Sequence, residues 1–220
     1  MVSIPVIPNS VAVGAEVDII SVTAVNPNVG GISGRLAVRV PKRQFNCTVG
    51  PNDTPSVRAI HYTHRRRWPV AIRDWGDFVF EDEDLVYSAG GSGFLAPLRR
   101  LIQPGVGTRY LHQRVLLPDE EDVPVVIKVN GTPLLRSDWT FDNFGIADIP
   151  SAHLSSGSTV TWSGRAFVPV CFMDDTLSVT INVQQQDTTN YGVQSIQQVR
   201  FEEIFEEELN ALMAETDDSI

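Results

Sequence analysis

Pro124-Val125-Val126-Ile127-Lys128-Val129-Asn130-Gly131 is the stretch on which the fold class turns. Its β-branched residues suit a pleated strand, and Asn-Gly tolerates the positive φ angles of a tight two-residue hairpin. Working outward, the same rhythm of short β-prone runs and turns recurs. Upstream lie residues 17–25, 35–40, 70–73, 78–80 and 110–117; downstream lie 132–139, 145–149 and 159–162. Asn26-Pro27-Asn28-Val29-Gly30-Gly31 separates the first two runs and predicts a looped strand pair. Many short strands at close spacing predict a mainly β chain, of sandwich or barrel type.

Two segments break this rhythm. Asp53-Thr54-Pro55 offers a cap and a first-turn proline, and Val57, Ile60 and His61 or His64 follow at helical spacing before Pro69. A short helix near residues 55–67 is therefore expected. Near the end, Phe201, Ile204, Phe205, Leu209, Leu212 and Met213 fall at i, i+3, i+4, i+8, i+11 and i+12, with glutamates between them. That spacing predicts an acidic amphipathic helix from about Val199 to Ala214, reached through a polar linker at Gln184–Asn190. The expected organisation is a β-rich domain over 1–183 and a linker plus docking helix over 184–220.

Hydrophobic residues make up 42% of the 220 and charged residues 20%, an ordinary globular balance that excludes wholesale disorder. No apolar run approaches the roughly 20 residues that span a bilayer, and no signal-like start is expected from the first residues. Cys47 and Cys171 are too few for a disulfide framework, so reduced thiols on strands are expected. The net charge is −10, but eight of the 27 acidic residues lie between Glu202 and Asp218, leaving the remainder at −2. A nearly neutral body argues against specific nucleic-acid binding, which needs clustered Lys and Arg.

No motif carries a catalytic or metal assignment. Asp74, Asp77, Glu81, Asp82, Glu83 and Asp84 are dense in carboxylates but lack calcium-loop spacing, and a solvated turn paired with the upstream arginines is the simpler reading. His61 and His64 would share a helix face, yet no third ligand follows at zinc spacing. The glycines of Ala89-Gly90-Gly91-Ser92-Gly93 precede no Lys-Ser/Thr, and no G-x-S-x-G occurs. Arg65-Arg66-Arg67-Trp68 is a small basic footprint for nucleic acid, and a contact between subunits suits arginine and tryptophan better.

Two further stretches are specific. Arg73-Asp74-Trp75-Gly76-Asp77-Phe78 and Phe167-Val168-Pro169-Val170-Cys171-Phe172-Met173-Asp174-Asp175-Thr176-Leu177 resemble, in this order, an R/K-D-W-x-D-F/Y element and an F-x-V-P-V-R-F-D-T-D-x-L element. Over roughly Arg43 to Val183 the chain resembles the distal tail protein family of tailed phages and gene transfer agents. Cys171 stands where the family mostly has a basic residue. The resemblance implies a tube-like β-sandwich or split barrel that assembles as a hexameric ring between tail tube protein and baseplate hub protein. It implies a virion protein of the tail tip, made in a bacterial cytoplasm, with no catalytic role, cofactor or metal, and with DNA crossing its channel unrecognised. The structural or interface residues expected on this basis are Arg65, Arg66, Arg67, Trp68, Arg73, Asp74, Trp75, Asp77, Phe167, Pro169, Asp174, Asp175, Phe201, Ile204, Phe205 and Leu209. Within them, Trp75 is expected to be buried at a strand-turn corner with an Asp-Arg pair beside it. The alternative is a carbohydrate-binding module or hydrolase at the tail tip, with Trp75, Trp139 and Trp162 as sugar-stacking platforms.

Overall fold

The computed structural model describes residues 4–20, 23–26, 34–37, 42–85, 88–90, 93–97, 99–101, 113–141, 146–155, 157–186 and 189–205. It is mainly β. The chain opens with helix α1 (Asn9–Val13), then β1 (Glu16–Ile20), β2 (Thr23–Asn26), β3 (Gly34–Ala37) and β4 (Lys42–Val49). Helix α2 (Thr54–His64) follows, then β5 (Val70–Ile72), β6 (Val79–Asp84), β7 (Ser88–Gly90), β8 (Gly93–Pro97) and β9 (Arg99–Leu101). Next come β10 (Gln113–Val115), β11 (Leu117–Pro118), β12 (Val126–Val129), β13 (Thr132–Pro133), β14 (Thr140–Phe141) and β15 (Ile146–Pro150). The last three strands are β16 (Val160–Phe172), β17 (Thr180–Gln186) and β18 (Thr189–Glu203).

β16 is the spine. Its first half pairs with β12 and β6, its middle with β11, and its second half with β5 and β18, all antiparallel. β18 continues to β4, and β4 to β1, which ends that side of the sheet. A separate antiparallel sheet runs β14-β15-β8-β7. One parallel contact joins Val6 to Ala71: Ile7 N–H donates to the Ala71 carbonyl and Ala71 N–H to the Pro5 carbonyl, so the N-terminal segment covers the outer edge of β5.

Two hydrophobic clusters lie along the two halves of β16. The first gathers Ile7, Phe45, Val57, Ile72, Val170, Phe172, Ile196 and Phe201 under α2. The second gathers Phe80, Leu116, Ile127, Trp139, Ile149 and Trp162. Within the span of the second cluster the β6–β16 register shifts at Trp162/Gly164. Gly164 has φ +156°, and a Cβ there would come within 3.3 Å of the Val125 backbone, so only glycine fits this kink.

The β12–β13 hairpin forms as its sequence predicts, with Asn130 at φ +50° and Gly131 at φ +79°. Helix α2 also matches, beginning at Thr54 with proline in its first turn and ending as Arg65 takes φ +46°. The C-terminal expectation does not hold at its start. Val199 to Glu203 belong to β18, which pairs with β4 and β16, and no helix starts before Ile204. Phe201, read as part of a helical spacing, also stands in a period-two row, because Val199, Phe201 and Glu203 are all buried. Long-range pairing chose between the two periods. Gln184 to Gln186 and Thr189 to Asn190 are likewise paired arms of the β17–β18 hairpin and not a linker. Leu209 and the rest of the expected helix lie outside the described residues.

Pro169 explains where β18 ends. Its carbonyl accepts from Ile204 N–H at 2.9 Å, but its ring nitrogen has no hydrogen to return to that side. The ladder therefore closes at the Val170–Glu203 pair.

Candidate functional site

The two stretches singled out in the sequence are neighbours in space. β5 leads into Arg73 and β16 carries Phe167 to Phe172, with Val168, Pro169 and Val170 opposite Ile72, Ala71 and Val70. Beyond β5 the chain turns at Asp74 to Asp77, where Gly76 N–H donates to Asp74 Oδ1 at 3.1 Å and Asp77 N–H to the Asp74 carbonyl at 2.8 Å.

Charge is buried at this corner. Arg43, on β4, donates through Nη1 to Asp74 Oδ2 at 2.8 Å and through Nη2 to Glu203 Oε1 at 3.1 Å, while its backbone N–H reaches Glu203 Oε2 at 2.9 Å. Asp77 stands 3.7 Å from the same guanidinium. Arg73 pairs with Asp119, and its guanidinium lies 5.1, 5.6 and 5.3 Å from the rings of Trp75, Phe78 and Phe167. Arg43, Arg73, Asp74, Asp119 and Glu203 are all buried. This arrangement ties β4, β5, β16, β18 and the start of the 119–125 segment together. It presents no nucleophile beside a general base.

Trp75 departs from expectation, being 41% exposed where burial was predicted. It lies over Arg73 and 5.1 Å from Phe78, so its inner face packs while its outer face meets solvent. The Asp-Arg pair exists, but Asp74 takes its arginine from β4. Two members of the acid cluster find their partners elsewhere than at the basic helix end: Asp74 meets Arg43, and Asp82 meets Lys128 and the Ser163 hydroxyl. The Lys128 ammonium holds the Asp82 carboxyl below its usual range.

Arg65, Arg66 and Arg67 are exposed just after α2, with Trp68 half-buried and Arg67 stacked 5.1 Å from it. The structure brings this group towards the end of the second stretch. Arg58, His61, Tyr62, Arg65, Asp175 and Leu177 line a cleft of about 280 Å³, and Arg66, Asp174, Asp175 and Arg200 line a polar one of about 620 Å³. Asp174 is a bidentate acceptor for Arg200, at 2.8 Å from Nη2 to Oδ1 and 3.1 Å from Nε to Oδ2. His61 is buried with its ring edge-on to Phe172 and Nε2 at 3.2 Å from the Asp174 carbonyl oxygen. Burial also holds the His64 imidazole below its ordinary value. His61 thus serves the α2 packing surface.

No family model and no curated protein matches this chain. The assignment of roles therefore rests on the geometry.

Phe167, Phe201 and Ile204 are buried and Phe205 is half-buried, its ring 5.3 Å from Lys42 Nζ. These four are packing residues, and Phe201 is core where a docking face was expected. Trp162 is fully buried and stacked 4.9 Å from Phe80, and Trp139 is buried against Phe141, so neither is a sugar platform. Arg43, Asp119 and Glu203 were missed from sequence. Arg43 shares the period-two row Arg43, Phe45, Cys47, Val49, and Glu203 the row Val199, Phe201, Glu203. A charge in phase with a buried row was the available signal. Asp119 carried none.

Proposed function

We propose that this chain is a structural component of a tailed particle, a distal tail protein whose copies close into a hexameric ring between tail tube and baseplate hub. One observation carries the reading: the two stretches that resemble the family, nearly a hundred residues apart, are neighbours in space, because β5, which leads into the first, pairs with β16, which carries the second, and Arg73 lies against Phe167. Residues that meet to build a corner, with no reacting group among them, fit a scaffold. In this reading the antiparallel sheets form a tube-like sandwich or split barrel around a channel through which DNA passes without sequence recognition. The protein acts without catalysis, cofactor or metal at the tail tip of the virion. Arg65, Arg66 and Arg67 on one side and the acidic stretch from Asp77 to Asp84 on another supply the two unlike faces that a head-to-tail ring requires.

The test is light scattering and negative-stain imaging of the purified protein, alone and with its tube and hub neighbours. Closed six-membered rings are expected at least in the mixture. Monomers in every sample would overturn the proposal.

A further inference from the structure

The chain leaves α2 through an unusual backbone. Arg65 takes φ +46°, a conformation that favours glycine, yet an arginine stands there. The turn sends successive arginines to different places: Arg65 lines the cleft of about 280 Å³ with Arg58 and Tyr62, and Arg66 lines the polar cleft of about 620 Å³ with Arg200. Asp175 and Thr176 belong to both linings, so the two clefts share a rim.

Charge is unbalanced at this rim. Arg200 is neutralised by Asp174, while Arg58 Nη1 donates to the Gln194 side-chain oxygen at 2.6 Å, a neutral partner. Arg65 and Arg66 are exposed, and their guanidinium groups meet no carboxylate among the described residues. Within the two linings Asp175 alone remains against Arg58, Arg65 and Arg66. The first cleft also has an apolar floor. Leu177 and Val179 are half-buried there against the first core, and the Tyr62 ring is 66% exposed with the Arg58 guanidinium 5.9 Å from it.

Arginine forks suit carboxylates and phosphates alike. Two features favour carboxylates: the apolar floor offers a phosphate nothing, and Asp175 on the shared rim repels a dianion more than a monoanion. A peptide brings aliphatic side chains and carboxylates together. We propose that the two clefts bind an acidic peptide segment of another protein, with an aliphatic side chain over Leu177 and Val179 beside Tyr62 and carboxylates on Arg65 and Arg66. This names the partner chemistry of the basic side used in the ring reading, but the clefts are complete within one chain. A monomer that binds such a peptide would therefore keep this proposal and sink the ring, and rings that do not bind it would do the reverse.

Fluorescence anisotropy of a short labelled peptide of alternating glutamate and leucine, with blocked ends, tests it. Saturable binding is expected, and none for the same peptide with glutamine in place of glutamate. Arg65→Gly combined with Arg66→Gln should weaken binding by about tenfold or more while the melting temperature holds, because glycine is at ease at this φ. Lys128→Gln, which removes a cation on β12 outside the clefts, should leave binding unchanged; a loss equal to that of the arginine variant would make the attraction diffuse and overturn the proposal. Displacement of the peptide by inorganic phosphate at matched ionic strength would make this a phosphate site, and no binding at all would leave no site; either result overturns it. So would an arginine variant that loses self-association but still binds the peptide, since those arginines would then serve contacts between copies.

Discussion

Arg73 shows how much a single buried charge governs here. Its guanidinium is enclosed by three aromatic rings and neutralised by buried Asp119, and its Nε has no hydrogen-bond partner. Arg73→Met leaves Asp119 charged and unpaired, which should cost about 3–5 kcal/mol in urea unfolding, and the double change Arg73→Met with Asp119→Leu should recover much of that loss. The tryptophans give a second contrast. Trp162→Ala empties a fully buried site and should cost about 3–5 kcal/mol, whereas Trp75→Ala removes a ring with one face in solvent and should cost about 1–2 kcal/mol. Equal losses in the two variants would contradict the observed packing. Cys47 gives a third. Burial pushes its thiol from 9.0 up to about 12, so the folded state keeps a proton that the unfolded state releases. The resulting stability is intact below pH 9 and declines between pH 9 and about 12, by up to about 1.4 kcal/mol per pH unit. Cys47→Ala should flatten that alkaline limb relative to the parent in denaturation curves taken across this range.

At the scale of elements, β18 has the largest structural share at the C-terminal end. It pairs with β17, β4 and β16, and supplies Ile196, Val199, Phe201 and Glu203 to the first core and its ion cluster. Truncation after Gln198 should therefore abolish the cooperative fold, read as loss of the urea transition and of near-ultraviolet circular dichroism. A shortened chain that keeps its melting temperature would show that the strand pairing is dispensable. A cut after Phe205 would be different in kind, because it spares every one of those contacts.

For the whole molecule, β16 couples two cores that could otherwise open separately. One strand contributes Val168, Val170 and Phe172 to the first and Val160, Trp162 and Ala166 to the second. Urea unfolding followed by Cys47 labelling, which reports the first core, and by tryptophan fluorescence, dominated by buried Trp139 and Trp162 in the second, should give coincident midpoints. Separated midpoints would make the stretch of β16 between Ala166 and Val168 a domain boundary.

The elements legible in the sequence were those set by local chemistry: the Asn130-Gly131 hairpin, α2 with its proline start, and the recurrent short strands, each decided by the φ angles or side-chain shapes of a few consecutive residues. The corner at Asp74 to Asp77 was legible as a turn, but its arginine was not, since Arg43 lies 31 positions away and nothing local points from one to the other. Phe201 fitted the helical spacing with Ile204 and Phe205 and also the period-two row Val199, Phe201, Glu203, and only pairing with β4 and β16 selected the strand. Exposure of Trp75 was equally beyond local reach, because it depends on what Arg73, Phe78 and Phe167 leave uncovered. Sequence by itself determined the β class, the turns and the short helix, through backbone preferences that act over a few residues. Tertiary structure alone decided which charges are buried together and which aromatic meets solvent, because those outcomes depend on strands brought into register across more than a hundred residues.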